Sequence, residues 1–157
     1  MKLFELLRPA ECVLPLEARD KWDAIEQLVG RLVATGRVPK ERYEELCDLV
    51  LARERSMSTG MERGIAIPHA AVDRLDGVVG ALGVVRSAGG LQFESIDARP
   101  TQLIVLLLIP RSQKLLHIRT LADTARTLGR EEVREALLAA ADGQAAWDLL
   151  RAAEKES

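Results

Sequence analysis

Cysteine is scarce: the 157 residues hold two, Cys12 and Cys47, with no Cys-x-x-Cys or Cys/His spacing. A disulfide framework and a zinc ribbon are thereby excluded as the basis of the fold, and both residues read as free thiols packing as small apolar side chains. Long hydrophobic runs are also missing. The longest, Leu103 to Ile109, has seven residues, against the roughly 20 that a membrane helix needs. Met1-Lys2-Leu3-Phe4 opens no signal-peptide apolar core, so the expected location is the cytoplasm. Charge of one sign is lacking as well, with 22 Lys and Arg against 24 Asp and Glu. A net charge of −2 gives no basic footprint for nucleic acid or an anionic membrane surface. There is no internal repeat, no long linker and no G-x-S-x-G element to make a Ser-His-Asp hydrolase of Asp73, Asp97 or Asp123.

What is present suits one domain over 1–157. Residues 1–19 read as a short helical turn followed by an edge strand, Cys12 to Leu16, interrupted by Pro15. The apolar set Ile25, Leu28, Val29, Leu32 and Val33 keeps a helical period, with Asp20 as its cap and Gly36 as its stop. A second helix runs from about Pro39, buries Tyr43, Leu46, Cys47, Val50 and Leu51, and ends near Arg53. Val78 to Val85 reads as a strand whose two glycines permit a close approach. Leu103 to Ile109, apolar at every position, reads as a central strand covered on both faces. The spacing of Ile118, Leu121, Ala122, Ala125 and Leu128 predicts a helix ending at Gly129, with His117 near its start. Two further helices follow, and 154–157 reads as a frayed tail. A strand buried on both faces needs helices on both sides, so the expected fold is α/β: a three-layer α/β/α sandwich with a small mixed β-sheet.

One of only two histidines, His69, closes the stretch Gly64-Ile65-Ala66-Ile67-Pro68-His69. Gly64 tolerates a positive φ, the isoleucines favour extended backbone, and Pro68 biases Ile67 the same way, so the run reads as a strand ending in His69. Imidazole is largely neutral near pH 7 and can accept a proton or a phosphoryl group.

The segment Arg53-Glu54-Arg55-Ser56-Met57-Ser58-Thr59-Gly60-Met61-Glu62-Arg63-Gly64-Ile65-Ala66-Ile67-Pro68-His69 resembles the pattern R-E-x-x-x-[ST]-T-G-x-x-x-G-[IV]-A-[IV]-P-H. That pattern belongs to enzyme IIA domains of the fructose/mannitol/nitrogen class of the bacterial phosphoenolpyruvate:sugar phosphotransferase system. Leu115-Leu116-His117-Ile118-Arg119-Thr120-Leu121-Ala122 is similar to the helix carrying that family's second histidine. The resemblance covers nearly the whole chain and implies the same sandwich architecture.

It further implies a phosphoryl carrier. His69 would be the acceptor and donor, with His117 holding the phosphoryl group or setting His69's tautomer. Arg53 would supply fixed charge, and Ser58 and Thr59 hydroxyl donors. No cofactor and no metal are expected, because a phosphohistidine donor is already activated. The expected partners are a histidine phosphocarrier protein upstream and, downstream, a IIB component of a sugar permease. The alternative is a nitrogen-type regulatory protein whose phosphorylation state selects its targets, toward which a chain with no attached IIB or IIC segment leans. Successive partners should share a surface drawn from Met57, Met61, Ala70, Ala71 and Val72, with Arg63 and Arg111 at its edge. Ala70-Ala71 and Met61-Glu62-Arg63 depart from the family pattern, and both sit where partner choice is decided.

Overall fold

The computed structural model describes residues 1–87 and 89–155. In chain order the elements are α1 (Leu3–Leu6), β1 (Cys12–Val13), α2 (Lys21–Ala34), α3 (Tyr43–Ser56), β2 (Ile65–Ala66), β3 (His69–Val72), β4 (Val79–Val84), β5 (Leu103–Pro110), α4 (Lys114–Leu128), α5 (Glu131–Ala139) and α6 (Gly143–Lys155). The strands form one mixed sheet in the order β1-β4-β5-β2, and β3 also pairs with β5. β4 is antiparallel to β5, whereas β2 and β3 run parallel to it.

β5 is the strand around which the layers assemble. Every residue of it is buried, and side chains alternate between faces. Ile104, Leu106 and Leu108 pack in a cluster with Leu28, Leu32, Leu46 and Val50 of α2 and α3. Leu103, Val105, Leu107 and Ile109 pack with Leu128, Val133, Leu137 and Leu150 of α4, α5 and α6. The three layers expected from the sequence are therefore present. Asp20 caps α2 by accepting from the Asp23 N–H at 2.8 Å. Among the described residues no helix is long and apolar enough to cross a membrane. Cys12 and Cys47 are free and buried, and burial pushes the Cys12 thiol up to about 12.

Several expectations are corrected. β1 stops at Val13 because Pro15 has no N–H to donate, and pairing resumes with the Leu16 N–H to the Val84 carbonyl at 2.7 Å. At the glycines of β4 the close approach is made mainly by side chains: a Cβ on Gly80 would lie 2.7 Å from Leu6 and 3.1 Å from the Leu106 carbonyl oxygen, and one on Gly83 2.6 Å from Leu16. The tail reading fails for Glu154 and Lys155, which continue α6. Glu154 is buried, with its carboxylate accepting the Leu3 and Phe4 N–H groups at 2.8 Å each. Residues 156–157 lie outside the described residues.

α4 is also turned differently from the expected stripe. Ile118 and Ala122 face solvent, while Thr120, Thr124, Thr127 and Leu128 are buried. Positions four apart share a helix face, so this rotation sets His117, Leu121 and Ala125 in one row.

Candidate functional site

His69 opens a strand rather than closing one. The extended run breaks at Ile67-Pro68, and both halves pair with β5. His69 sits opposite Leu107, whose side chain belongs to the α4 side of the sheet, and therefore projects toward α4. The alternate residues Ala70 and Val72 project the other way, into the α2/α3 core at 5% and 1% exposure. They are removed from the expected partner surface for that reason.

The His69 imidazole is 9% exposed. Its Nδ1 lies 2.8 Å from the Ile67 carbonyl oxygen. A carbonyl can only accept, so Nδ1 carries the proton and Nε2 keeps its lone pair. The His117 ring stands edge-on to it, with centroids 5.2 Å apart and planes at 87°. His117 is at the fourth position of α4, its own N–H used by the Gln113 carbonyl. The N–H groups of Lys114, Leu115 and Leu116 precede it as the first-turn donors a helix leaves unpaired within itself.

His69, Ile67, Arg53, Ser58, Thr59, Gly60, Met61, Leu121 and Ala125 line a cavity of about 250 Å³. Arg53, in the last turn of α3, donates from Nη1 to the Met57 carbonyl at 2.9 Å. This bond turns the loop back over the site, and Gly64, at φ 75°, returns it to β2. A larger cavity of about 450 Å³ lies between the start of α3 and the loop before β4, and neither histidine lines it.

Burial pushes the His69 imidazole below its ordinary 6.5, and the charge of Arg53 and the neighbouring His117 act the same way, against the pull of the Ile67 bond and of the Glu54 charge. Burial and Arg53 lower His117 as well. Both rings are neutral at pH 7. The unfolded chain, whose histidines keep the ordinary value, therefore takes up protons first as the pH falls. Stability should stay flat above about 6.5 and decline below it, until the folded histidines protonate in turn. Urea midpoints across this range should show a shallower decline in His69→Gln, which keeps an N–H for Ile67. An equal slope in both proteins would assign the pH dependence to other groups.

The remaining expected residues divide. Met61 lines the cavity. Met57 is 70% exposed beside it. Arg111 lies at the end of β5, paired with Asp73 at 3.0 Å and bonded to the Ala71 carbonyl. Ser58 Oγ accepts from the Gly60 N–H, which leaves its own proton uncommitted by that bond. The Thr59 hydroxyl is not aimed at the cavity: it donates to Glu54 Oε1 at 2.6 Å. Arg63 donates to the Gly129 carbonyl at the far end of α4, about 18 Å along the helix from His117 at 1.5 Å per residue.

Glu54 and Lys21, paired at 3.3 Å and both buried, were not among the expected site residues. Glu54 had a legible signal. It extends the buried stripe of Cys47, Val50 and Leu51 by one turn, so an acidic residue there faces the core and needs partners. Lys21 had none, since its partner is supplied by another helix.

Along most of its length the chain is similar to known proteins. Residues 5–153 match the family described as phosphoenolpyruvate-dependent sugar phosphotransferase system, EIIA 2. The fructose-specific EIIA component of Haloferax volcanii is 36% identical, over 83% of this chain and 82% of its own. A nitrogen regulatory protein of Bradyrhizobium diazoefficiens is 32% identical over 96% and 95%. The fructose-specific EIIABC component of Bacillus subtilis is 32% identical over 99% of this chain, which spans only 24% of that protein. Among solved structures, the nitrogen regulatory protein IIA-Ntr of Neisseria meningitidis superposes with a TM-score of 0.83, at 25% identity, over 94% of this chain and 98% of its own.

Proposed function

The chain belongs to the EIIA 2 family of the phosphoenolpyruvate-dependent sugar phosphotransferase system, and from that premise we propose that His69 is a phosphoryl relay station, taking the group from a phosphorylated histidine carrier protein and handing it on. The observation that carries this reading is the bond from Nδ1 to the Ile67 carbonyl, which leaves the Nε2 lone pair on a ring lining a cavity shared with Arg53. In the forward step the donor's P–N bond breaks as the Nε2–P bond forms, and the donor nitrogen keeps the electron pair. The proton on Nδ1 stays, and the Ile67 carbonyl stabilises the positive charge that develops on the ring. Arg53 supplies permanent charge to the phosphoryl oxygens, with the Ser58 hydroxyl, the His117 ring and the first turn of α4 as further donors. The relay needs no metal or cofactor and operates in the cytoplasm.

The relatives span a fructose-specific component and a nitrogen regulatory protein. Both readings use the same phosphohistidine. Transfer onward to a IIB component marks a transport role. A phosphorylation-dependent change in protein binding without such transfer marks the regulatory one.

Donor and acceptor must reach the same Nε2 in turn, so they share a surface. Its centre is apolar: Met57, whose carbonyl holds Arg53, and Leu115 and Ile118, which flank His117 along α4, are 70%, 60% and 65% exposed. Its rim is basic, with Arg53, Arg111, Lys114 and Arg119, which suits partners presenting carboxylates. The test uses phosphoenolpyruvate, enzyme I and a histidine carrier, under which the chain should take up one acid-labile phosphate. Ile118→Asp, on the solvent face of α4, should leave the helix content unchanged and weaken carrier and acceptor together by about tenfold or more. Impairment of one partner alone, or simultaneous binding of both, would contradict a shared surface.

A further inference from the structure

Glu54 does not line the cavity, yet hydrogen bonds at Thr59 and Ile67, joined through the backbone of those two residues, link it to the nucleophile. Its side chain is fully buried. Oε1 accepts the Thr59 hydroxyl at 2.6 Å, and Oε2 accepts the Thr59 N–H at 2.9 Å and Lys21 Nζ at 3.3 Å. The Thr59 carbonyl in turn accepts the Ile67 N–H at 3.3 Å. The other end of the Ile67 residue is the carbonyl that accepts from His69 Nδ1. The loop is pressed from its other side as well: a Cβ on Gly60 would lie 2.7 Å from the Phe93 carbonyl oxygen.

Lys21 makes a buried carboxylate tolerable here. Its ammonium lies 4.7 Å from the Trp22 ring centroid and 5.8 Å from that of Phe93, so the cation is held by aromatic faces as well as by Glu54. A neutral side chain at position 54 could not receive all three donors, because an amide has one acceptor oxygen. A buried charge on α3 therefore fixes Thr59, and Thr59 fixes the segment whose carbonyl accepts from His69 Nδ1.

We propose that Glu54, held by Lys21, is a positioning residue that acts through Thr59 and the Ile67 backbone to lock His69 in the Nδ1–H tautomer. The proposal rests on His69 being the phosphoryl acceptor, but concerns the resting protein. With Nδ1 held against the Ile67 carbonyl, attack on phosphorus falls to Nε2 and needs its lone pair free, so the rate follows the fraction in that tautomer. A Glu54 that merely braces α3 would affect stability and leave the tautomer alone.

The experiment reads the His69 ring directly, from nitrogen-proton correlation spectra of unphosphorylated protein labelled at histidine nitrogen, with the His117 ring as internal reference. The wild type should show one Nδ1–H form. Thr59→Val removes only the hydroxyl bond to Glu54 and preserves side-chain shape. Glu54→Gln removes the charge. Both should convert His69 to a mixture of tautomers, and phosphate uptake should slow in proportion, by about tenfold where the competent form falls to about a tenth. Thr59→Ser, which restores the hydroxyl, should restore the single form. If Glu54→Gln fails to fold, the Thr59→Val spectrum decides. A His69 that stays wholly Nδ1–H in Thr59→Val, whatever the change in melting temperature, overturns the proposal. A tautomer shift in a protein that takes no phosphate even as wild type would instead contradict the proposed function and leave the positioning role standing.

Discussion

His69→Ala should abolish phosphate uptake while the protein remains folded. His117 cannot replace it, because its ring lies on α4 without the carbonyl bond that frees one nitrogen of His69, and the two rings are 5.2 Å apart centre to centre. The structural cost is limited to the Ile67 carbonyl, which loses its donor in a buried place, and to the small void left by the ring. Together these amount to about 1 to 3 kcal/mol, within the stability of an ordinary domain. Uptake assays alongside thermal melts separate the two effects. Label retained in His69→Ala would move the acceptor elsewhere.

Glu154→Ala should produce the largest loss of stability among single polar changes. The carboxylate reaches from the last turn of α6 to the first turn of α1, accepting from Leu3 and Phe4 at 2.8 Å each and from the Thr127 hydroxyl at 3.1 Å. The N-cap Lys2 offers α1 no side-chain acceptor, and Glu5 takes only the Lys2 N–H at 3.1 Å, so Glu154 caps the N–H groups of Leu3 and Phe4. Removing the acceptor strands three donors on two segments, α1 and α4, at about 3 to 5 kcal/mol in all. For a chain of this length that lowers the melting temperature by roughly 10 °C. Glu154→Gln should recover part of it. A shift under about 2 °C would mean that water replaces the carboxylate and that the end of α6 is dispensable.

The contrast between α2 and Glu154 shows which parts of this fold are written locally. The period of α2, its Asp20 cap and its Gly36 stop are all near one another in sequence, and the structure follows them. β5 was equally plain, since an unbroken apolar run that short leaves a two-sided strand as the natural reading. Glu154 finds its partners 150 and 151 residues away, and no local pattern marks a glutamate that will be buried so. At the site, the motif around Arg53 and His69 named two residues that line one cavity, because the loop between them is short. The break at Pro68 reversed His69 from strand end to strand start, although proline's missing N–H gave fair warning. Alternation along β3 would have excluded Ala70 and Val72 from the surface once His69 was set facing α4. The rotation of α4 is different in kind. An apolar count favoured burying Ile118 and Ala122, and tertiary packing overrode it by turning His117 inward and three threonines into the core.

The most direct test of the central claim is the identity of the phosphorylated nitrogen. Protein labelled at histidine nitrogen and phosphorylated by a carrier protein can be read by phosphorus-nitrogen coupling. The structure predicts a single phosphoramidate at Nε2 of His69, with Nδ1 still protonated and bonded to the Ile67 carbonyl. Phosphate at Nδ1, or on the His117 ring, would contradict it.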